Sequence, residues 1–218
     1  MNTQKPVIII LGPQGSGKGT QGKKLAEKLG LPYLETGQLL RDEIASGSDH
    51  GKYLGSIVDK GQLLSDDDIN NFMKDKVRFA ANNGQGFILD GYPRRHGQAE
   101  FVDSIIKPTH VLLIDIPDEE SVRRLSARRQ CPKDKRIYNL ITAPPKQDEV
   151  CDDCGTKLEQ RVDDTPVAIQ KRLNLYHTDT EPVLAWYKEQ GVLHRIDGTH
   201  SIDEVEKKVW EVFNNFSL

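Results

Sequence analysis

The sequence has no apolar stretch long enough to span a bilayer. Residues 1–6, Met-Asn-Thr-Gln-Lys-Pro, carry no apolar core of an export signal. A cytoplasmic protein without a membrane partner is therefore expected. Cysteine is scarce: three residues, an odd number, all between positions 131 and 154. That pattern speaks against a disulfide scaffold and for a local metal site in a reducing compartment. A strong excess of one charge is also missing. The formal net charge of −3 argues against a general nucleic-acid or membrane-surface binder. There is no internal repeat, no low-complexity tract, no His-centred triad and no metal-hydrolase motif.

What is present fits one α/β domain with insertions. The chain has 218 residues, 36% hydrophobic and 29% charged, enough for a full core under a polar surface. Apolar runs recur at Val7–Leu11, Pro32–Leu34, Gly86–Leu89, His110–Ile116 and Val192–Ile196, with helical patterns between them. Strands alternating with helices predict a parallel sheet covered on both faces. Ligands of such sheets sit beyond the carboxyl ends of the strands. Two segments stand apart. Residues 35–64 read as short helices broken by Gly47, Gly51, Gly55 and Gly61. Residues 127–164 hold every cysteine, a Pro144-Pro145 pair and many charges, and read as an insertion with its own staple. A helical pattern resumes from about Val167 to Tyr187, and an amphipathic helix near Asp203–Phe213 starts at a Ser201 cap.

Directly after the first apolar run comes Gly12-Pro-Gln-Gly15-Ser16-Gly17-Lys18-Gly19-Thr20, and a helix from Gly19 to Leu29 follows. A strand, a glycine-rich turn and a helix are the context that a phosphate-binding loop requires. Glycines let backbone N–H groups converge on phosphate oxygens, and the helix N-terminus favours negative charge. Lys18 would reach the β- and γ-phosphates as a point charge. The hydroxyl usually found beside the lysine is displaced by Gly19 to Thr20.

Asp90 ends the third apolar run, in Asp90-Gly-Tyr-Pro-Arg94. A carboxylate there suits Mg²⁺, held directly or through water; the plainer alternative is a turn or cap residue. Arg94 gains meaning from Arg41, a second guanidinium whose planar fork suits phosphate. Arg124, Arg128, Arg161 and Arg172 supply further cations, with Arg124 and Arg128 expected on one helix face. Arg123 and Arg129 read as solvated charge. Phosphoryl transfer needs such cations and dryness more than acid–base groups. Cys131-Pro-Lys-Asp134 and Cys151-Asp-Asp-Cys154 give C-x2-D-x16-C-x2-C, two short pairs that suit tetrahedral zinc. The fourth ligand is open among Asp134, Asp148, Asp152, Asp153 and water. Free thiols or a redox pair are the alternative, though a redox C-x-x-C belongs at a helix start near a strand.

Together these residues resemble adenylate kinase of the long-lid, zinc-bearing bacterial type, over nearly the whole chain. Residues 12–21 look like that family's ATP loop. Thr36-Gly-x-x-Leu-Arg41 looks like its AMP motif, and Asp90-Gly-Tyr-Pro-Arg94 with Gln98 is similar to its second AMP motif. The resemblance implies an α/β fold of P-loop NTPase type. Its core would be 1–34, 65–126 and 165–218, with an AMP-binding insertion at 35–64 and a lid at 127–164. It implies ATP + AMP ⇌ 2 ADP with Mg²⁺, structural Zn²⁺ and a monomer. ATP contacts would come from Gly15, Ser16, Gly17, Lys18, Gly19, Thr20, Arg128, Ile137, Tyr138 and His200. AMP contacts would come from Thr36, Arg41, Gln62, Leu64, Gly91, Arg94, Gln98, Arg161 and Arg172. Lys18, Arg94, Arg124, Arg128, Arg161 and Arg172 would serve the transferring phosphoryl. Departures from the family pattern are Gln14, Gln38, Asn139, Thr142-Ala143 and His200, and none removes an essential charge. Competing expectations are a UMP or CMP kinase, disfavoured by Gln98; a zinc-dependent nucleotide-binding regulator, disfavoured by the full arginine set; and a zinc-ribbon nucleic-acid module, disfavoured by Asp148, Glu149, Asp152 and Asp153.

Overall fold

The computed structural model describes residues 6–58, 64–161 and 163–214. The strands are β1 (Val7–Leu11), β2 (Tyr33–Glu35), β3 (Phe87–Asp90), β4 (His110–Asp115), β5 (Arg128–Gln130), β6 (Ile137–Asn139) and β7 (Leu193–Asp197). The helices are α1 (Lys18–Leu29), α2 (Thr36–Ser46), α3 (Asp49–Val58), α4 (Asp66–Asn82), α5 (His96–Ile105), α6 (Asp118–Ser126), α7 (Pro166–Leu175), α8 (Glu181–Glu189) and α9 (Ile202–Asn214).

Five strands form one parallel sheet in the order β2-β3-β1-β4-β7. The apolar runs are continuous because both faces of this sheet are covered. Alternate residues of β1 enter different cores. Ile8 and Ile10 pack with Leu25 and Ala26 of α1 and Val205 and Val209 of α9. Val7, Ile9 and Leu11 face Leu54, Phe72, Met73, Val102, Val183 and Tyr187 from α3, α4, α5 and α8. The sheet is thus the middle layer of three. The carboxyl ends of β1 and β3 point to one edge, and the candidate site is there.

Helix ends follow local chemistry. Ser65 and Asp68 form a reciprocal capping box on α4, and Ser201 exchanges hydrogen bonds with Glu204 at the start of α9. Thr165 caps α7, which opens on Pro166.

Three local expectations need correction. Gly51 and Gly55 lie within α3 and do not break it. Their missing side chains let α3 lie against α2: a Cβ at Gly51 would sit 2.1 Å from the Glu43 carbonyl oxygen. Gly47 does end α2, in the left-handed conformation; Gly61 lies outside the described residues. Arg124 and Arg128 do not share a helix face, because α6 ends at Ser126 and Arg128 opens β5. The helical pattern from Val167 to Tyr187 is not one α-helix, since a π-helical turn, Tyr176–Thr180, joins α7 to α8.

Residues 127–164 carry the antiparallel pair β5–β6 and isolated bridges, held by a small core of Cys131, Tyr138, Cys151 and Leu158. Among the described residues no helix is long and apolar enough to cross a membrane.

Candidate active site

The loop between β1 and α1 turns on Gly15 and Gly17, both at positive φ (85° and 89°). Gly17 is the N-cap of α1 and offers no side-chain acceptor to the first amides of the helix. Those amides remain available to an anion. Ser16 is buried, and its hydroxyl has no partner. Thr20 is exposed on the first turn of α1, and Gly19 stands beside Asp90.

Lys18 donates to the Pro13 carbonyl oxygen at 3.3 Å. Burial lowers its pKa to about 8, against the pull of Asp90, and Arg94, Arg172 and Arg128 lower it further. Four cations from the loop, the β3 end, β5 and α7 therefore converge on one region. Burial is the largest cost to the Lys18 ammonium, and the three guanidiniums add to it, as suits a place where an anion binds.

Asp90 ends β3 with its side chain buried. Its Oδ2 accepts from the Tyr33 hydroxyl at 2.5 Å, and its Oδ1 has no protein partner. Burial raises its pKa, opposed by Lys18 and by the Tyr33 hydrogen bond. Arg94 follows after Gly91 and donates its Nε to the Gly91 carbonyl at 2.7 Å. Its pKa is lowered by burial, with Asp90 opposing. Gln98 is buried on α5: its Oε1 accepts from the Arg94 amide and its Nε2 donates to Asp66, both at 2.8 Å.

The start of α2 supplies Thr36, buried with an unpartnered hydroxyl, and Arg41. Arg41 donates to Gln38 Oε1 at 2.8 Å and lies 3.5 Å from Glu35. Burial and Arg161 lower its pKa, while Glu35 raises it. The Leu64 side chain packs into the core, and Gln62 lies outside the described residues.

The remaining arginines are held by two aspartates. Arg128 binds Asp164 through two parallel bonds of 2.7 and 2.5 Å. Arg161 grips Asp163 in the same forked way at 2.9 and 2.8 Å. Arg172 reaches both aspartates, at 3.4 and 3.3 Å. Asp164 is wholly buried, so these pairs fix the guanidiniums. Arg124 points elsewhere: it pairs with Glu120 at 2.6 Å and donates to the carbonyls of Gly198 and Thr199. Arg123 pairs with the same Glu120 and is exposed, as expected of solvated charge; Arg129 bonds local carbonyls. His200 lies 3.2 Å from Asp197 on the surface. Ile137 presents an exposed apolar face, whereas the Tyr138 ring is buried in the cysteine core, with its hydroxyl accepting from the Asp152 amide.

Cys131, Asp134, Cys151 and Cys154 bring their ligand atoms within 4.8 Å of one another. The Cys131 and Cys154 sulfurs are 3.5 Å apart, and Cys151 Sγ is 3.0 Å from Asp134 Oδ2. Ligands at about 2.3 Å around one tetrahedral ion stand roughly 3.8 Å from each other, so the cluster can hold a metal ion. Two matching turns build it. Lys135 and Gly155 both take positive φ (63° and 69°), and their amides donate to the carbonyls of Cys131 and Cys151 at 3.0 and 2.9 Å. Asp148 is no part of the cluster, Asp152 accepts from the Lys146 amide and Asp153 pairs with Arg136.

The adenylate kinase family model matches residues 10–192. The chain belongs to the adenylate kinase family. It is 43% identical over 211 residues to adenylate kinase of Thermotoga neapolitana, covering 94% of this chain and 96% of that protein. It is 40% identical over 215 residues to adenylate kinase of Petrotoga mobilis, covering 96% and 98%. Adenylate kinase of Archaeoglobus fulgidus is 40% identical over 207 residues, covering 93% and 95%.

Within this adenylate kinase fold, sequence reasoning missed two roles. Nothing in the sequence marks Asp163 and Asp164 as partners of the arginines, because spacing alone does not say which acid meets which arginine. Tyr33 lies in the short apolar run Pro32–Leu34, and nothing local announces a hydroxyl that reaches Asp90.

Proposed function

We propose that this enzyme transfers a phosphoryl group in ATP + AMP ⇌ 2 ADP, using Mg²⁺-bound nucleotide. The convergence of Lys18, Arg94, Arg128 and Arg172 at the mouth of the phosphate loop carries this reading. A protein that only binds nucleotide has no need of so many cations around one anion. Lys18 and the amides of residues 15–20 hold the ATP phosphates. Arg41 and Arg94 hold the AMP phosphate. Arg128, Arg161 and Arg172 neutralise the charge spread over the equatorial oxygens as it forms. Arg124, spent on Glu120 and two backbone carbonyls, orders the path between α6 and β7 and takes a supporting role. Bound with the nucleotide, Mg²⁺ would supply positive charge to the phosphates, and Asp90, whose Oδ1 has no protein partner, would hold it through a water.

We assign residues 35–64 to AMP binding and 127–164 to a closing lid. Closure matters because water is the competing nucleophile, and an open site would hydrolyse ATP. Gln98 reads the adenine edge and Ile137 covers the ATP base. Zinc is the metal that three thiolates and one carboxylate suit, and it stiffens the lid without joining the chemistry. The enzyme acts as a monomer in a reducing compartment.

The test mixes purified protein with Mg·ATP and each of AMP, UMP, CMP and GMP, and follows ADP by chromatography. Conversion with AMP alone is expected. Conversion with another acceptor would move the error to Gln98 and Gln38. No conversion, despite tight ATP binding, would overturn the reading in favour of a nucleotide-binding regulator.

A further inference from the structure

The Tyr33 phenol is wedged between the sheet and α1. Strand β2 pairs with β3 in the register Tyr33↔Ile88 and Glu35↔Asp90. The ring therefore starts two residues short of Asp90 and must run along the strand direction to reach it. Space for it is made by Gly22. A Cβ there would lie 2.6 Å from Tyr33 Cε2 and 3.0 Å from Ile10 Cδ1. The hydroxyl ends 3.5 Å from the Gly19 carbonyl oxygen and 2.5 Å from Asp90 Oδ2. A phenol has one proton to donate, and here it goes to the carboxylate at the closer distance.

We propose that Tyr33 is a positioning residue for the Mg²⁺-nucleotide, fixing the Asp90 carboxylate so that Oδ1 stays open to the hydrated cation. This rests on the assignment of Asp90 under the proposed function. Rotation about the terminal bond of an aspartate is soft, so the carboxylate needs an external reference to hold one orientation. Tyr33 supplies it by taking Oδ2 out of play. Without the hydroxyl, nothing in the protein holds Oδ2, and the carboxylate is free to rotate so that Oδ1 no longer keeps one direction. The hydrated cation would then lose its oriented partner, while Lys18 and the loop amides would still meet the phosphates. The orphaned buried Oδ1 is the observation that fits a cation's water at this point. The glycine at 22 is the observation that the ring is placed by design of the fold.

The experiment compares Tyr33→Phe, Gly22→Ala and Asp90→Asn with the parent enzyme. Calorimetry measures dissociation constants for ATP with and without Mg²⁺, and thermal melts confirm that each variant folds. Tyr33→Phe keeps the ring and its packing. It is expected to leave metal-free ATP binding unchanged and to weaken Mg·ATP binding about tenfold, as for loss of a group orienting a metal's partner. Its kcat falls as well. Gly22→Ala displaces the phenol while leaving both polar groups intact, and gives the same selective loss. Unchanged Mg·ATP binding in Tyr33→Phe, with Asp90→Asn defective, overturns the role of Tyr33 alone. Equal weakening of ATP and Mg·ATP makes Tyr33 a packing residue and also overturns it. Unchanged Mg·ATP binding in Asp90→Asn removes the assignment of Asp90 and the role of Tyr33 together.

Discussion

At the scale of single residues, the site is a balance between cations and the few carboxylates that hold them. Asp164 bears most of that balance: wholly buried, it takes two bonds from Arg128 and a third contact from Arg172. Its carboxylate does not compete with phosphate, because it approaches the guanidiniums from inside the protein. Asp164→Asn keeps the shape and removes the charge. Two guanidiniums, 16% and 25% exposed, would then face a neutral amide. Breaking a buried pair costs 3–5 kcal/mol, and the partial exposure of these arginines reduces that to about 2–3 kcal/mol. Denaturant unfolding should show this loss, and kcat should fall with it because the arginines lose their aim. A variant with parental stability would mean that the pair is ornamental.

At the scale of elements, the sequence was legible where one rule decides the outcome. Buried parallel strands need continuous apolar runs, so the runs locate β1 to the residue and the other sheet strands to within about one position. The phosphate loop was legible because strand, glycines, lysine and helix must coincide. The metal cluster was legible from spacing, but not which aspartate completes it, since that depends on how two turns face each other. The pairing of Arg124 with Arg128 failed because i,i+4 proximity holds only inside a helix, and α6 ends between them. The π-helical turn was invisible for the same reason that Tyr33 was: both answer to tertiary packing. The cluster predicts a division of labour. It joins β5, β6 and the loops around them, whose core otherwise consists of Tyr138 and Leu158. Each kcal/mol that a metal ion in this cluster adds would raise the melting temperature of a chain of this size by about 2–4 °C. Chelation should therefore lower Tm while leaving kcat of the still-folded protein near its starting value at low temperature. An equal loss of rate in fully folded apo-protein would place the metal in the chemistry instead.

At the scale of the whole molecule, residues 127–164 are bracketed by α6 on entry and α7 on exit, and His177 fastens the two sides together. It sits in the π-helical turn after α7. Its Nδ1 lies 2.8 Å from Glu181 Oε2 at the start of α8, and its Nε2 3.0 Å from both Asp118 oxygens at the start of α6. A neutral imidazole has one N–H and would turn a lone pair toward one of these carboxylates. Only the imidazolium satisfies both, so the two carboxylates raise the pKa of His177 above its ordinary 6.5, with burial opposing weakly. The consequence for stability has a definite sign. The folded protein binds this proton more tightly than the unfolded chain does, so the clamp is complete below about pH 6.5 and weakens as pH rises through the raised value. His177 is 45% exposed, and solvent screening limits the effect to about 0.5–1 kcal/mol. Unfolding free energies measured from pH 5.5 to 8.5 should fall more steeply in the parent enzyme than in His177→Gln, with the two curves converging at the alkaline end. Parallel curves would show that the imidazole binds its proton no better folded than unfolded, and that the ends of α6 and α8 are joined by packing alone.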